Sequence, residues 1–208
     1  SVDSQTSIPP SLSSPASSTS ASKSGTRMCR LPSNSMTPSF FKALIWRLTD
    51  NPLAQWLDGA PSYLSVIDLD ISSGQLGDLA DVLRRLHILQ APYPEQSGRG
   101  GTQTDRQLFF HPDPAIQGAR RKVADAVQNY VEALPAVDAS HPLLGPPRDQ
   151  PMLFEGSWSV RLVGAGYHAA HTHVMGWISS ALYIVVPEPA AAGAAPAGHL
   201  ALGAPPPR

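Results

Sequence analysis

Three of the seven histidines, His168, His171 and His173, fall inside one short stretch, GYHAAHTHVMGW. A neutral imidazole presents a ring nitrogen to a metal ion, and Fe, Zn, Cu and Ni all accept it. The His-x-His spacing matters because side chains two apart on a strand point to the same face. Their attachment points would then lie roughly 6–7 Å apart, close enough for both rings to reach one ion. His171 and His173 are therefore the candidate metal ligands, with His168 supporting them or facing solvent. The pair alone does not select a metal, and spacing identifies no third ligand.

The neighbouring residues describe the elements that must hold these rings. Ser157-Trp158-Ser159-Val160-Arg161-Leu162 alternates polar and apolar, which predicts a half-buried strand. Gly164-Ala165-Gly166 supplies the backbone freedom of a turn. Ile178 to Val186 is rich in β-branched and aliphatic residues and stops at Pro187, which predicts a second strand. Histidines at a strand edge beside such a turn are placed to line the mouth of a barrel or sandwich. Trp158 and Tyr183 are read as core or sheet-face residues, and Trp177 as a core residue or a wall of the pocket. Ser179 and Tyr183, four apart, would share a strand face.

Upstream, Thr37-Pro38 starts a helix that runs to about Leu48, with Phe41, Leu44, Ile45 and Leu48 on one side. Tyr63 to Ile71 reads as an edge strand with Asp68 and Asp70 facing solvent. Ser72 and Gln75 form a capping box before a helix with an apolar stripe of Leu76, Leu79, Leu83 and Leu86. Asp113 and Pro114 open a second helix, whose buried face is Ile116, Val123, Val127, Tyr130, Val131 and Leu134, and Pro135 closes it. Between the helices, the glycine-rich run from Gln96 to Asp105 lacks the Gly-Lys-Ser/Thr ending of a phosphate-binding loop and the spacing of a dinucleotide fingerprint. It is expected to be a surface loop. Two amphipathic helices before a run of strands suit an α+β unit in which helices buttress a mainly β domain.

Several separated motifs occur together in one order: Arg99-Gly-Gly-Thr-Gln-Thr104, His141-Pro142, Trp158-Ser-Val-Arg-Leu162, Gly166-Tyr-His168, His171-Thr-His173 and Gly176-Trp-Ile-Ser-Ser-Ala-Leu-Tyr183. In that order they resemble a branch of the 2-oxoglutarate- and Fe(II)-dependent oxygenases often found after tetratricopeptide repeats. The resemblance implies a double-stranded β-helix, or jelly roll, holding one non-haem iron. Such enzymes oxidise 2-oxoglutarate to succinate and carbon dioxide while hydroxylating a bound substrate. It implies His171 and His173 as iron ligands; if no bulge intervenes, Ser179 and Tyr183 share their face and become candidate contacts to the co-substrate. Arg99, Thr102 and Gln103, with His168 and Trp177, would be the pocket residues. Much of the superfamily has Asp or Glu where His173 stands, so the carboxylate ligand is unassigned, and Val174 replaces a usual Pro. The distal histidine and the basic residue that clamps 2-oxoglutarate lie, in the family, beyond the segment resembling Gly198 to Pro205. The chain ends at Arg208 before either, so the jelly roll is read as incomplete, a domain cut short and expected to fold poorly alone. A non-catalytic jelly-roll module for metal binding or recognition is the alternative.

Composition sets outer bounds. Residues 1–36 are dominated by Ser, Thr and Pro and are read as disordered; 37–60 as a helical segment that could be a remnant of upstream repeats; 61–189 as the oxygenase-like domain; 190–208 as an Ala/Gly/Pro-rich end. Net charge is −1 with 15% charged residues, which gives no electrostatic footprint for nucleic acid. No stretch approaches the roughly 18 consecutive apolar residues of a membrane span. The single Cys29 excludes an internal disulfide framework and a cysteine-based zinc site. A cytoplasmic protein is expected, acting on a protein, peptide or small molecule.

Overall fold

In the computed structural model, which describes residues 24–30, 36–89, 91, 96–173, 175–186 and 198–202, the two buttressing helices form where their apolar spacing places them. Helix α3, Ser73–Leu86, begins with the capping box in full: the Gln75 amide donates to Ser72 Oγ and the Ser72 amide to Gln75 Oε1. Its buried face is Leu79, Ala80, Val82 and Leu83. Helix α4, Pro114–Ala133, is capped by Asp113, whose carboxylate accepts from the Ala115 amide at 2.9 Å. Ile116, Ala119, Val123, Val127 and Val131 run down its buried side. Tyr130 packs at the margin and donates its hydroxyl to the Tyr63 carbonyl, and burial pushes its phenol up to about 12.

Against this pair lies an antiparallel sheet. Its strands are β1 (Ser24–Arg30), β2 (Gly98–Gln103), β3 (Phe154–His168) and β4 (Gly176–Ser180), in the order β2-β3-β1-β4. The core joins both helices to Leu108, Phe109, Leu143 and Leu144 and to Trp177 and Ile178 of β4. The fold of the described residues is thus α+β. Among them no helix is long and apolar enough to cross a membrane.

Several expectations change. Residues 24–30, inside the segment read as disordered, form β1; the rest of 1–36, apart from Met36, lies outside the described residues. A strand inserted between two others is held by its backbone, which Ser-rich composition does not report. The glycine-rich run is not a loop but β2, and the predicted turn at Gly164-Ala165-Gly166 lies within β3. The two features explain each other. A Cβ on Gly166 would stand 2.2 Å from the Gly100 carbonyl oxygen, so the strands pair across glycines with an irregular register between Arg99 and Gly101. The strand expected from Ile178 to Val186 is shorter and earlier: its ladder with β1 runs only from Gly176 to Ser180. Residues 64–71 belong to no ladder. Asp68 Oδ1 accepts from the Asp70 amide and Asp70 takes φ +48°, a local turn that competes with extended pairing. Asp68 and Asp70 do face solvent.

Helix α1, Met36–Leu48, turns Phe41, Ile45 and Leu48 outward and buries Ala43. Its Arg47 pairs at 2.6 Å with the buried Asp58 of α2, Leu53–Asp58. Burial raises the Asp58 pKa against the pull of Arg47.

Two histidines tie these pieces together. His141, 2% exposed, donates from Nε2 to the Trp56 carbonyl and accepts at Nδ1 from the amides of Leu143 and Leu144. Trp56 and Tyr63 pack on its ring. His87, just after α3, spans Thr102 Oγ1 at 2.8 Å and Ser159 Oγ at 3.0 Å, linking β2 to β3.

His141→Ala should cost about 3 kcal/mol, because it strands three backbone groups and opens a void. Ser72→Ala should cost about 1 kcal/mol. Urea unfolding of both variants checks the ranking, and a smaller loss for His141→Ala would refute the clamp. Burial, and secondarily Arg161, holds the His87 pKa below its ordinary 6.5. Between those two values the unfolded chain binds more protons than the folded one, so stability is fully present above 6.5 and falls as pH drops below it. Unfolding measured from pH 7.5 to 5 should show this slope, reduced in His87→Gln. An unchanged slope in that variant would count against it.

Candidate metal centre

Strand β3 has two faces, and the site depends on which residues take which. Ser157 and Ser159 are buried, at 2% and 5% exposure. Ser157 Oγ accepts from the Phe109 amide at 2.9 Å, and Ser159 Oγ meets His87. Trp158, between them, is half-buried on the opposite face. The polar–apolar alternation is therefore real, but small hydroxyls take the inner side and the indole the outer. Gln103 pairs with Val160, so it shares the face of Trp158; Thr102 pairs with Arg161 and shares the face of Ser159.

On the Trp158 face an open cleft of about 480 Å³ is lined by Gln96, Ser97, Arg99, Gln103, Trp158 and residues 169–173. His171 and His173 stand in the irregular segment between β3 and β4, not on a strand. Their rings converge all the same, with Nε2 to Nε2 at 3.0 Å. His171 Nδ1 donates to the Ala169 carbonyl at 2.8 Å. In the neutral ring this leaves Nε2 as the basic nitrogen, aimed at the shared point. His173 stacks on Trp158 with centroids 5.4 Å apart and planes 5° from parallel. The segment is anchored where the Ala169 amide donates to the Ser97 carbonyl at 2.9 Å.

Two nitrogens 3.0 Å apart, each about 2.1 Å from one ion, subtend about 90° at it, the angle of adjacent octahedral positions. As a pair, these nitrogens could take adjacent positions on one metal ion, and imidazole suits iron as it suits zinc, copper or nickel. Among the described residues, no group of three or more His, Cys, Asp and Glu is arranged to hold a metal, and no carboxylate lines the cleft.

The other expected site residues divide. Arg99 and Gln103 reach the cleft with the two histidines. The Arg99 guanidinium donates to the carbonyls of Gln96 and Gly98. His168 sits beside them, half-buried, its Nδ1 3.0 Å from Ser97 Oγ and its ring 5.8 Å from that of His171. Thr102 faces the other way, onto His87. Trp177 is in the core and donates its indole N–H to the Leu143 carbonyl. Ser179 is buried in β4, and Tyr183 is half-buried beyond it, with burial raising its phenol pKa. Neither lines the cleft, because β1 separates β4 from β3. Gln96 and Ser97 enter it without having been singled out, and so does Trp158, read from the sequence as a core or sheet-face residue. The one signal for Trp158 is its pair of flanking serines, which hydrogen bonds can carry inward as readily as solvent can draw them outward.

No curated protein and no solved structure matches the chain. One family model does, described as "Putative 2OG-Fe(II) oxygenase", over residues 156–208. That range begins just before Trp158 and contains the whole His168–His173 cluster. The family resembled by the motifs around Trp158 and His171 is thus the family whose model matches residues 156–208, the 2-oxoglutarate- and Fe(II)-dependent oxygenases.

Proposed function

We propose that this chain carries the iron-binding part of a 2-oxoglutarate-dependent oxygenase domain, with His171 and His173 as adjacent ligands. The observation behind the proposal is the 3.0 Å convergence of their Nε2 atoms inside a cleft that the family match overlaps. The antiparallel sheet with helices packed against it is, on this reading, part of a double-stranded β-helix. When bound, iron would supply oxygen activation, coupling oxidation of 2-oxoglutarate to hydroxylation of a protein, peptide or small-molecule substrate.

The chain's own residues have distinct tasks here. The Ala169 carbonyl keeps the proton of His171 on Nδ1, so its Nε2, facing His173, keeps a lone pair. Arg99 brings a fixed positive charge to the cleft rim, complementary to a carboxylate of 2-oxoglutarate. To bind one it would exchange the carbonyls of Gln96 and Gly98 for the stronger anionic acceptor. Gln103 adds an amide from the same strand, and Trp158 closes one wall against water.

One observation leaves room for a second reading, a non-catalytic jelly-roll module for metal binding or recognition: among the described residues no group of three metal-binding side chains is arranged around one point.

Anaerobic titration of the full chain with Fe(II) should show one ion bound. His171→Ala and His173→Ala should each weaken it at least about tenfold. Arg99→Gln should weaken 2-oxoglutarate while leaving the metal in place. Succinate formed from 2-oxoglutarate in air supports the oxygenase, whereas tight metal binding without succinate supports the second reading. Iron binding unchanged in the double histidine variant would sink both.

A further inference from the structure

The pair of histidines stands on a segment with no ladder of its own, yet its rings meet within hydrogen-bond distance. Contacts of the individual rings must fix their planes. His171 is held by its bond to Ala169. For His173 a partner on a regular element is Trp158, lying parallel at 5.4 Å. Resting on the metal reading above, we propose that Trp158 is a positioning residue for metal binding, setting the ring plane of His173.

Trp158 is out of place as a packing residue. It is the bulkiest side chain of β3, yet it is absent from the hydrophobic core, while the serines on either side fill the inner positions. An apolar ring on the cleft side leaves its face in contact with water unless another plane covers it. The His173 imidazole does so, its plane parallel at 5.4 Å, within the centroid range of about 4.5–7 Å over which offset-stacked aromatic pairs are favourable. Strand β3 is paired on both sides, with β2 and with β1, so the indole is mounted on a braced element. A binding constellation must be held to within about 0.5 Å, and an irregular segment alone does not provide that. The stack transfers the strand's precision to a ligand that the strand does not carry.

The test is Co(II) binding to the full chain, read by affinity and by the visible absorption of the bound ion. Trp158→Phe keeps an aromatic plane, and Trp158→Leu keeps apolar bulk without one. Both are compared with wild type and with His173→Ala, and thermal unfolding reports whether each variant is folded. The expected result is a 10- to 100-fold affinity loss in Trp158→Leu, with a changed Co(II) spectrum and an unchanged melting temperature. Trp158→Phe should stay within about threefold of wild type. Wild-type affinity and spectrum in Trp158→Leu would overturn the proposal while leaving the metal site intact. Equal losses in both variants would also overturn it, since bulk rather than the plane would then be responsible. If Trp158→Leu does not fold, the decision passes to Trp158→Phe: a tenfold loss there overturns the proposal, and rescue supports it. Should His173→Ala bind Co(II) as wild type does, the metal reading itself fails, and the inference falls with it.

Discussion

A side chain on Gly101 would place its Cβ 2.2 Å from the Arg161 carbonyl oxygen, and one on Gly166 would stand as close to Gly100. Strands β2 and β3 therefore approach each other at points where only glycine leaves room. Gly100 adds φ +66°, a backbone state that few other residues adopt without strain. This ribbon carries the rest of the site. It brings Arg99 and Gln103 on one strand against Trp158 on the other, and it delivers the chain to the Ser97–Ala169 contact from which the histidine segment departs. Chemistry is confined to one face of the ribbon, while His87 and the two serines fasten the other face to the body of the protein.

That body is conventional in its physics. Helices α3 and α4 bury apolar stripes, and His141 serves as a three-way connector with both ring nitrogens occupied. Histidine thus appears in three distinct capacities in one chain. It is a buried brace at His141, a cross-strand link at His87 and a converging pair at His171 and His173. What separates them is the destination of each ring nitrogen. In the brace and the link, both nitrogens go to protein groups. In the converging pair, one nitrogen of each ring is directed at the other's.

The helices could be read in advance because their signals are local: a cap, a proline at the first turn, and a repeat near 3.6 residues. The His-x-His pair was legible as chemistry, though not for the geometric reason first apparent, since its residues lie off the strands and converge through an irregular segment. What could not be read depends on partners distant in sequence. Whether Gly98–Gln103 is loop or strand is decided by Gly166 more than sixty positions away. Whether Ser157 and Ser159 point inward depends on the Phe109 amide and on His87. The separation of Ser179 and Tyr183 from the cleft follows from β1, a strand whose composition gives no sign of one.

The inward serines have one more consequence. A strand seated on a greasy face can drift by some tenths of an ångström at little cost, because dispersion contacts are soft and undirected. A hydroxyl bridging to an amide or an imidazole tolerates far less, since both length and angle are constrained. By seating β3 on the Ser157–Phe109 and Ser159–His87 contacts, the fold exchanges apolar burial for indexing, much as a dowel locates a plate that friction alone would let slip. Removing either hydroxyl would leave its partner, the Phe109 amide or a His87 ring nitrogen, without that bond, so alignment and stability would be lost together.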